Sequence, residues 1–443
     1  MNQNDKVLAS PELHEKYHQE DRYENSLAEE QIEHVPEGTA SPGKALFMLL
    51  KAFIGTGVIF LPGSFVSGGL VLSIVLMVLL ASICCVAFQI LVKAQQSIGG
   101  SYGDVAQHLY GAYLRHLIQF FLCISQMGFV CSYMIFISEN IGIVVDTVNN
   151  CNAPFAAKYY IWIILAVIIP ICWVRKIAKL SPIAVIADIF IAFGLICILY
   201  FSSAQIHDHG VGQNIILVNQ NTFGLMIGTA IFSYEGIGMV LPIVNGMKDP
   251  KKFPMVLNLG MLICAVVFTL IGSIGYIAYG DITQASVVAN IPRAPLSTTV
   301  QVLYAIAMIF SSPFMLYPPL TIIEKYIFGN RSGTKSLKIK WGKNFVRSLV
   351  PVVCAAVSFG VGSENLSKFV SLVGSIACMP LCFIFPGLFH YKITSRKTAK
   401  ILDVGLILFG VLAMVYTVYV NVNSWVHPAE STGVVLSITN CSA

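Results

Sequence analysis

The sequence predicts an all-α polytopic membrane protein with about eleven membrane-spanning helices, of which the first and sixth are discontinuous. Three observations carry this reading. Hydrophobic residues make up 56% of the 443-residue chain against 11% charged, and the mean hydropathy is +0.76, too apolar and too charge-poor for a soluble globular protein. The apolar residues gather into runs, most of them long enough to cross a hydrocarbon layer of about 30 Å, which takes about 20 helical residues. Two of these runs are interrupted near their middles by glycines and polar groups.

Residues 1–42 are rich in Glu, His, Gln and Asn and poor in large apolar side chains, so they read as a disordered acidic cytosolic tail. Ten of the 22 acids but only three of the 27 Lys and Arg lie in residues 1–40. His14, His18 and His34 read as solvated tail residues, because nothing fixes their geometry. No hydrophobic leader opens the chain, so the first span is expected to direct membrane insertion.

The transporter domain is expected over 43–422, with apolar runs at 45–66, 70–92, 117–145, 159–174, 181–201, 223–244, 255–279, 297–323, 345–361, 369–389 and 401–422. The fourth is short, ending before Arg175, and the ninth carries Arg347 near its start and Pro351 inside it. Residues 423–443 form a short luminal or extracellular tail. The distribution of positive charge supports the count, because Lys and Arg collect in cytoplasmic loops. With the N-terminus placed inside, nineteen Lys and Arg fall in inside loops and three, Lys158, Arg293 and Lys368, in outside ones. The basic surplus is therefore topological, and no nucleic-acid-binding pattern accompanies it.

In the first span the interruption is Gly55-Thr56-Gly57, followed by Val58 and then Leu61-Pro62. In the sixth it is Phe232-Ser233-Tyr234-Glu235-Gly236-Ile237-Gly238, followed by Leu241-Pro242. Unwound backbone at membrane depth is tolerated only where protein buries it or it lines a cavity, and an intramembrane acid is a functional candidate. If the first ten spans form two halves of five, each half opens with an interrupted helix, in opposite orientations; the eleventh span is an addition. Paired interruptions of this kind point to a secondary transporter.

The amides of Gly57 and Val58 would open a half-helix and suit a carboxylate. The carbonyls of Phe232, Ser233 and Tyr234 would suit an ammonium group, with Glu235 supplying a charge or a transferable proton. Acceptors on one helix and donors on the other fit a zwitterion, the backbone of an amino acid. Helix packing through small residues is the competing account of Gly55-Thr56-Gly57, and a structural carboxyl hydrogen-bonded to backbone is that of Glu235. Asp188, the deepest of the other acids, either joins a proton path or bonds to a neighbour. Glu139, Asp146 and Glu324 are expected to snorkel to water. The His207-Asp208-His209 stretch reads as a solvated loop.

Ten of the twelve cysteines fall in or beside apolar runs without metal-ligand spacing, and Cys151 and Cys441 in polar segments could pair. No nucleotide loop and no zinc-spaced set occurs, so an enzyme, an ATP-driven pump and a bound cofactor are not expected.

The residues Leu50-Lys51-Ala52-Phe53-Ile54-Gly55-Thr56-Gly57-Val58-Ile59-Phe60-Leu61-Pro62, the stretch from Phe232 to Pro242, and then Asn245, Met247 and Pro250 resemble the amino acid/auxin permease family. The nearest likeness is to its fungal vacuolar amino acid transporters and animal proton-coupled amino acid transporters. The resemblance covers 41–422 and implies a five-plus-five inverted-repeat fold, amino acid substrates and commonly proton coupling. Gly63 and Val244 depart from residues the family often carries at those places.

The expected function is secondary active transport of small neutral amino acids, with the proton symport that the resemblance implies, across a vacuolar or lysosome-like membrane. The expected partners are small neutral amino acids and membrane lipid, with no nucleic acid and no obligate protein partner. A plasma-membrane symporter and a non-transporting amino acid sensor are the alternatives.

Overall fold

The computed structural model describes residues 38, 40–149, 154–175, 181–329, 331 and 336–427, with the backbone alone at 56, 181 and 182. Ser41 starts the first helix, α1 (Pro42–Phe53). Its hydroxyl accepts from the Lys44 amide at 3.3 Å, and Pro42 fills the first turn, where no amide donor is needed. The chain leaves the helix at Ile54 and Gly55, makes a 3-10 turn over Thr56–Phe60, and continues as α2 (Leu61–Gly68), bent by 44° from α1. Gly69, at φ 79°, then reverses the chain into α3 (Leu70–Ile98), a turn in the left-handed region that favours glycine.

A short helix that hydropathy does not foresee, α4 (Tyr102–Tyr110), follows, closed by a reciprocal capping box between Ser101 and Asp104. Next come α5 (Ala112–Val148), α6 (Tyr160–Cys172) and α7 (Ser181–His209), whose exposed last turn holds the His207 to His209 stretch expected in a loop. The sixth span is α8 (Phe223–Tyr234) and α9 (Ile237–Asn245), separated at Glu235 and Gly236. Then come α10 (Phe253–Tyr279), α11 (Pro295–Phe328) and α12 (Leu337–Val361). The tenth span starts as α13 (Leu366–Val373), passes through π-helical turns at Gly374–Cys378 and Pro380–Ile384, and ends as α14 (Phe385–Ile393). The last is α15 (Lys397–Val426).

Nine stretches among the described residues are long and apolar enough to cross a membrane, ten when the bent first pair counts as one. The fourth predicted span is apolar but shorter: a three-residue 3-10 turn, Ala157–Tyr159, leads into the thirteen residues of α6. Its rise of about 25 Å falls short of a typical hydrocarbon layer. Arginine from the ninth span compensates at its end. Arg347 Nη1 donates to the carbonyls of Cys172 (3.0 Å) and Val174 (3.1 Å), so carbonyls that the helix leaves open receive a charged donor. Trp173 Nε1 also donates to Ser348 Oγ at 2.9 Å. The short fourth span and the ninth, which carries Arg347 and Pro351, are thus held by each other.

Glu324 of α11 belongs to the same assembly and corrects the expectation that it snorkels. It is 7% exposed and pairs with Arg347, 3% exposed, while Lys343 Nζ lies 3.9 Å from its other oxygen. Two cations brought by α12 make a buried position favourable to an acid that would otherwise seek water.

The core sits where the third, sixth and tenth spans meet. The most apolar windows of the sixth, tenth and third are 83%, 78% and 67% buried, against 17% for α15, which lies at the periphery. Where α8 crosses the π turns, Gly228 and Gly374 bring the backbones together, and a Cβ at either would strike the facing helix. The predicted tails, 1–42 and 423–443, lie almost wholly outside the described residues, as do Cys151 and Cys441 and their suggested pairing.

Candidate functional site

Both breaks exist, and they face each other. At the first, Gly55 adopts φ −107° and ψ −144° between α1 and the 3-10 turn. At the second, Glu235 is extended at φ −71° and ψ 121°, and Gly236 sits at φ −161° and ψ 14°. Ser233 Oγ lies within donating distance of Gly57 O (3.2 Å) and of Thr229 O in its own helix (2.9 Å). A Cβ on Gly57 would come 3.1 Å from Ser233 Cα, so this glycine is what lets the two helices touch. The ring of Phe53 lies against Gly236 in the same way.

Gly55 and Gly238 differ from those two. A Cβ at either meets nothing within 4 Å, which leaves open space beside both breaks. The four predicted glycines therefore divide, Gly57 and Gly236 filling a contact and Gly55 and Gly238 bordering space. The backbone chemistry fits that space. The last carbonyls of α8, from Ile231 to Tyr234, have no partner within the helix, and the amides that open the 3-10 turn and α9 have none either, except that Met239 donates to Gly236 O at 3.0 Å. Acceptors carry the negative end of one helix dipole and donors the positive end of another.

The side chains of the sixth-span motif are mostly spent on packing. Phe232 is buried between Phe60 (centroids 6.3 Å apart) and Phe129 (4.2 Å), and Phe60 also meets Phe136 at 6.3 Å. Tyr234 turns away, its hydroxyl donating to Met77 O at 3.2 Å and its ring lying 5.3 Å from Phe268. Val58 is fully buried. These residues can offer a ligand their main chain only, as the sequence suggested.

Glu235 is 9% exposed, and its Oε1 is buried with no hydrogen-bond partner among the described residues. It lies within electrostatic reach of Tyr102, Cys378 and Cys382. Tyr102 Oη donates to Leu381 O at 2.8 Å, so α4 is anchored to the π-helical turns beside this carboxyl. The tenth span is thus a third wall of the site, which sequence reasoning did not assign. Its signal was present in the Gly374 to Pro380 segment, where glycine, serine and proline interrupt an apolar run, and π turns recur at functional sites.

Asp188 of α7 faces Lys51 of α1, with Nζ 3.0 Å from Oδ2, so the acid that sequence left between two roles has a cationic neighbour. Glu139, expected to snorkel, has one oxygen buried without a partner instead. It lies one helical turn from Phe136 on a face that packs within the bundle. Gly63, which departs from the resembled family, abuts backbone: a Cβ would come 2.5 Å from Gln284 O, which leaves no room for a larger residue.

A family profile described as transmembrane amino acid transporter protein matches residues 38–422. Vacuolar amino acid transporter 3 of Schizosaccharomyces pombe is 37% identical over 383 residues, covering 86% of this chain and 58% of that protein. Vacuolar amino acid transporter 4 of Saccharomyces cerevisiae is 36% identical over 416 residues, with the same two shares. Amino acid transporter AVT3B of Arabidopsis thaliana is 27% identical over 395 residues, covering 84% of this chain and 91% of that protein. The chain thus spans less than two thirds of the length of the fungal relatives. Among solved structures, the inward facing conformation of Mhp1 superposes with a TM-score of 0.57 at 12% identity, covering 88% of this chain and 91% of that one. MhsT in complex with L-phenylalanine gives 0.50 at 11% identity, covering 87% and 99%. At these identities the likeness is one of fold.

Proposed function

The chain belongs to the transmembrane amino acid transporter family, and from that premise we propose that it moves small neutral amino acids by proton-coupled secondary transport across a vacuolar or lysosome-like membrane. The observation that carries this reading is the meeting of two broken helices around open space. The terminal carbonyls of α8 suit an ammonium group and the opening amides of the 3-10 turn and of α9 a carboxylate, the complement of a zwitterion. The segments at the breaks are uncharged apart from Glu235, and open space lies at Gly55 and Gly238, which favours a small neutral side chain over a charged one. The names of the fungal relatives support the vacuolar setting.

Proton coupling follows from the state of Glu235. A buried carboxylate facing no donor is costly unless a cation faces it, so the group is stable either as the neutral acid or opposite an ammonium. Substrate and proton occupancy are then linked at one site. The first ten spans act as two inverted halves, with the breaks at their pseudo-equivalent first helices. The N-terminal side of α1 faces the cytosol.

Purified protein in liposomes, given a panel of labelled amino acids and an imposed pH gradient, tests the reading. Accumulation of small neutral amino acids that collapses when the gradient is dissipated is the expected result. Ligand-induced stabilisation without flux would overturn transport, and uptake indifferent to the pH gradient would overturn the coupling.

A further inference from the structure

Lys51 stands in the last turn of α1, directly ahead of the first break, where its charge also suits the negative end of the helix dipole. Its partner Asp188 sits on a helix that α1 scarcely touches. α1 rests on α10, with Leu46 and Leu49 filling the hollow at Gly260, and on α9; α7 rests on α10 and α11. The 3.0 Å ion pair therefore reaches across a cleft between two elements with no extended packing of their own. The Lys51 and Asp188 side chains keep 27% and 34% of their exposure, while Asp188 Oδ2, the oxygen that faces Lys51, is itself buried. One turn beyond Lys51 lies Gly55, where a side chain would meet open space.

A second set of contacts ties α1 to α9. Ala40, ahead of α1, donates its amide to Gly246 O at 3.0 Å and accepts from the Lys248 amide at 3.0 Å, forming a bridge with the segment after α9. At the other end, Phe53 covers Gly236. The two half-helices are strapped together at the far end and meet again at the breaks.

We propose that Lys51 and Asp188 form a latch across this cleft, closing the path between the breaks and the side on which α1 begins. Opening that path separates the pair and swings α1 and α9 together about Gly55 and Gly236. A pair whose side chains stay partly exposed, between helices with no extended packing of their own, suits a contact that must open and reclose in every cycle. The inference rests on the transport reading for its meaning, but its test needs no substrate.

The full chain carrying Gly55→Cys is reconstituted in liposomes and treated with a membrane-impermeant maleimide from the α1 side, with modification at position 55 read by mass spectrometry. Lys51→Met or Asp188→Asn should speed labelling by about fivefold, as a shift toward the open state requires. Lys51→Arg should keep the slow rate, and the exchanged pair Lys51→Asp with Asp188→Lys should return toward it. Equal rates in all variants would overturn the latch, as would an exchanged pair that labels as fast as the single variants. A single variant that elutes as aggregate is replaced by Asp188→Glu combined with Lys51→Met, which is held to the same fast-labelling expectation. Absence of flux in the parent protein, with these labelling rates intact, would count against transport and leave the latch standing.

Discussion

A buried carboxyl oxygen without a donor, placed where a helix breaks, makes Glu235 the residue on which coupling is expected to turn. Glu235→Gln keeps the shape and hydrogen-bonding capacity of the side chain but cannot exchange a proton. It should abolish accumulation driven by a pH gradient, while any remaining exchange of labelled for unlabelled substrate becomes insensitive to pH. Retained uphill uptake in liposomes would move the proton elsewhere, to Asp188 first. The glycines give a sharper test than a single substitution could. Gly57→Val forces a side chain against Ser233 Cα, an overpacking that costs about 1–3 kcal/mol and lowers the melting temperature of the detergent-solubilised protein. Gly238→Val enters open space, so it should leave the melting temperature within a few degrees of the parent and abolish substrate-induced stabilisation. Were the two to behave alike, all four glycines would be packing residues and the site would lie elsewhere. The glycines and the acid were legible because they interrupt an apolar run; their division into contact and space was not, since it depends on what the facing helix presents.

At the scale of elements, Arg347 decides whether the short fourth span keeps its end. It closes the carbonyls of Cys172 and Val174 and neutralises buried Glu324, so Arg347→Met leaves both open. Breaking a buried pair from one side costs about 3–5 kcal/mol, and here the lower end is expected because Lys343 stays 3.9 Å from Glu324. Adding Glu324→Met should recover part of the loss in a thermal-unfolding series, since an apolar replacement of both partners removes the stranded charge. No recovery would mean that the helix cap, and not the pair, carries the stability. Hydropathy found the spans because burial in lipid demands long apolar helices; the fourth is short as expected, whereas the ninth, doubted for Arg347 and Pro351, is long and apolar enough to cross. It could not join them. Arg347 reaches Cys172 across more than half the sequence distance between the two breaks, and such pairings follow from packing rather than from local pattern. The tenth span left a partial signal, because Gly374, Ser375 and Pro380 mark an interruption of the apolar run without fixing a widened turn.

For the whole molecule, the arrangement of charge argues how the bundle lies in its membrane. The sequence assigns nineteen Lys and Arg to one face and three to the other; in the fold many of the nineteen, Lys93, Arg115, Lys325 and Arg347 among them, stand in helical segments, and Lys176, Lys179 and Lys335 lie outside the described residues. The face with nineteen is the one on which α1 begins, and positive loops stay in the cytosol. This assignment needs α6 to cross despite its length, since without it every later loop changes sides. The Arg347 cap makes that crossing physically reasonable by satisfying carbonyls at the face where the helix ends early. The two ends of the chain should therefore lie on opposite faces. Cysteines placed in the segments before α1 and after α15, in sealed vesicles of known orientation, are expected to react with an impermeant reagent from opposite sides. Reaction of both from one side would remove α6 from the count of spans and, with it, the inverted relation between the two broken helices on which the proposed site depends.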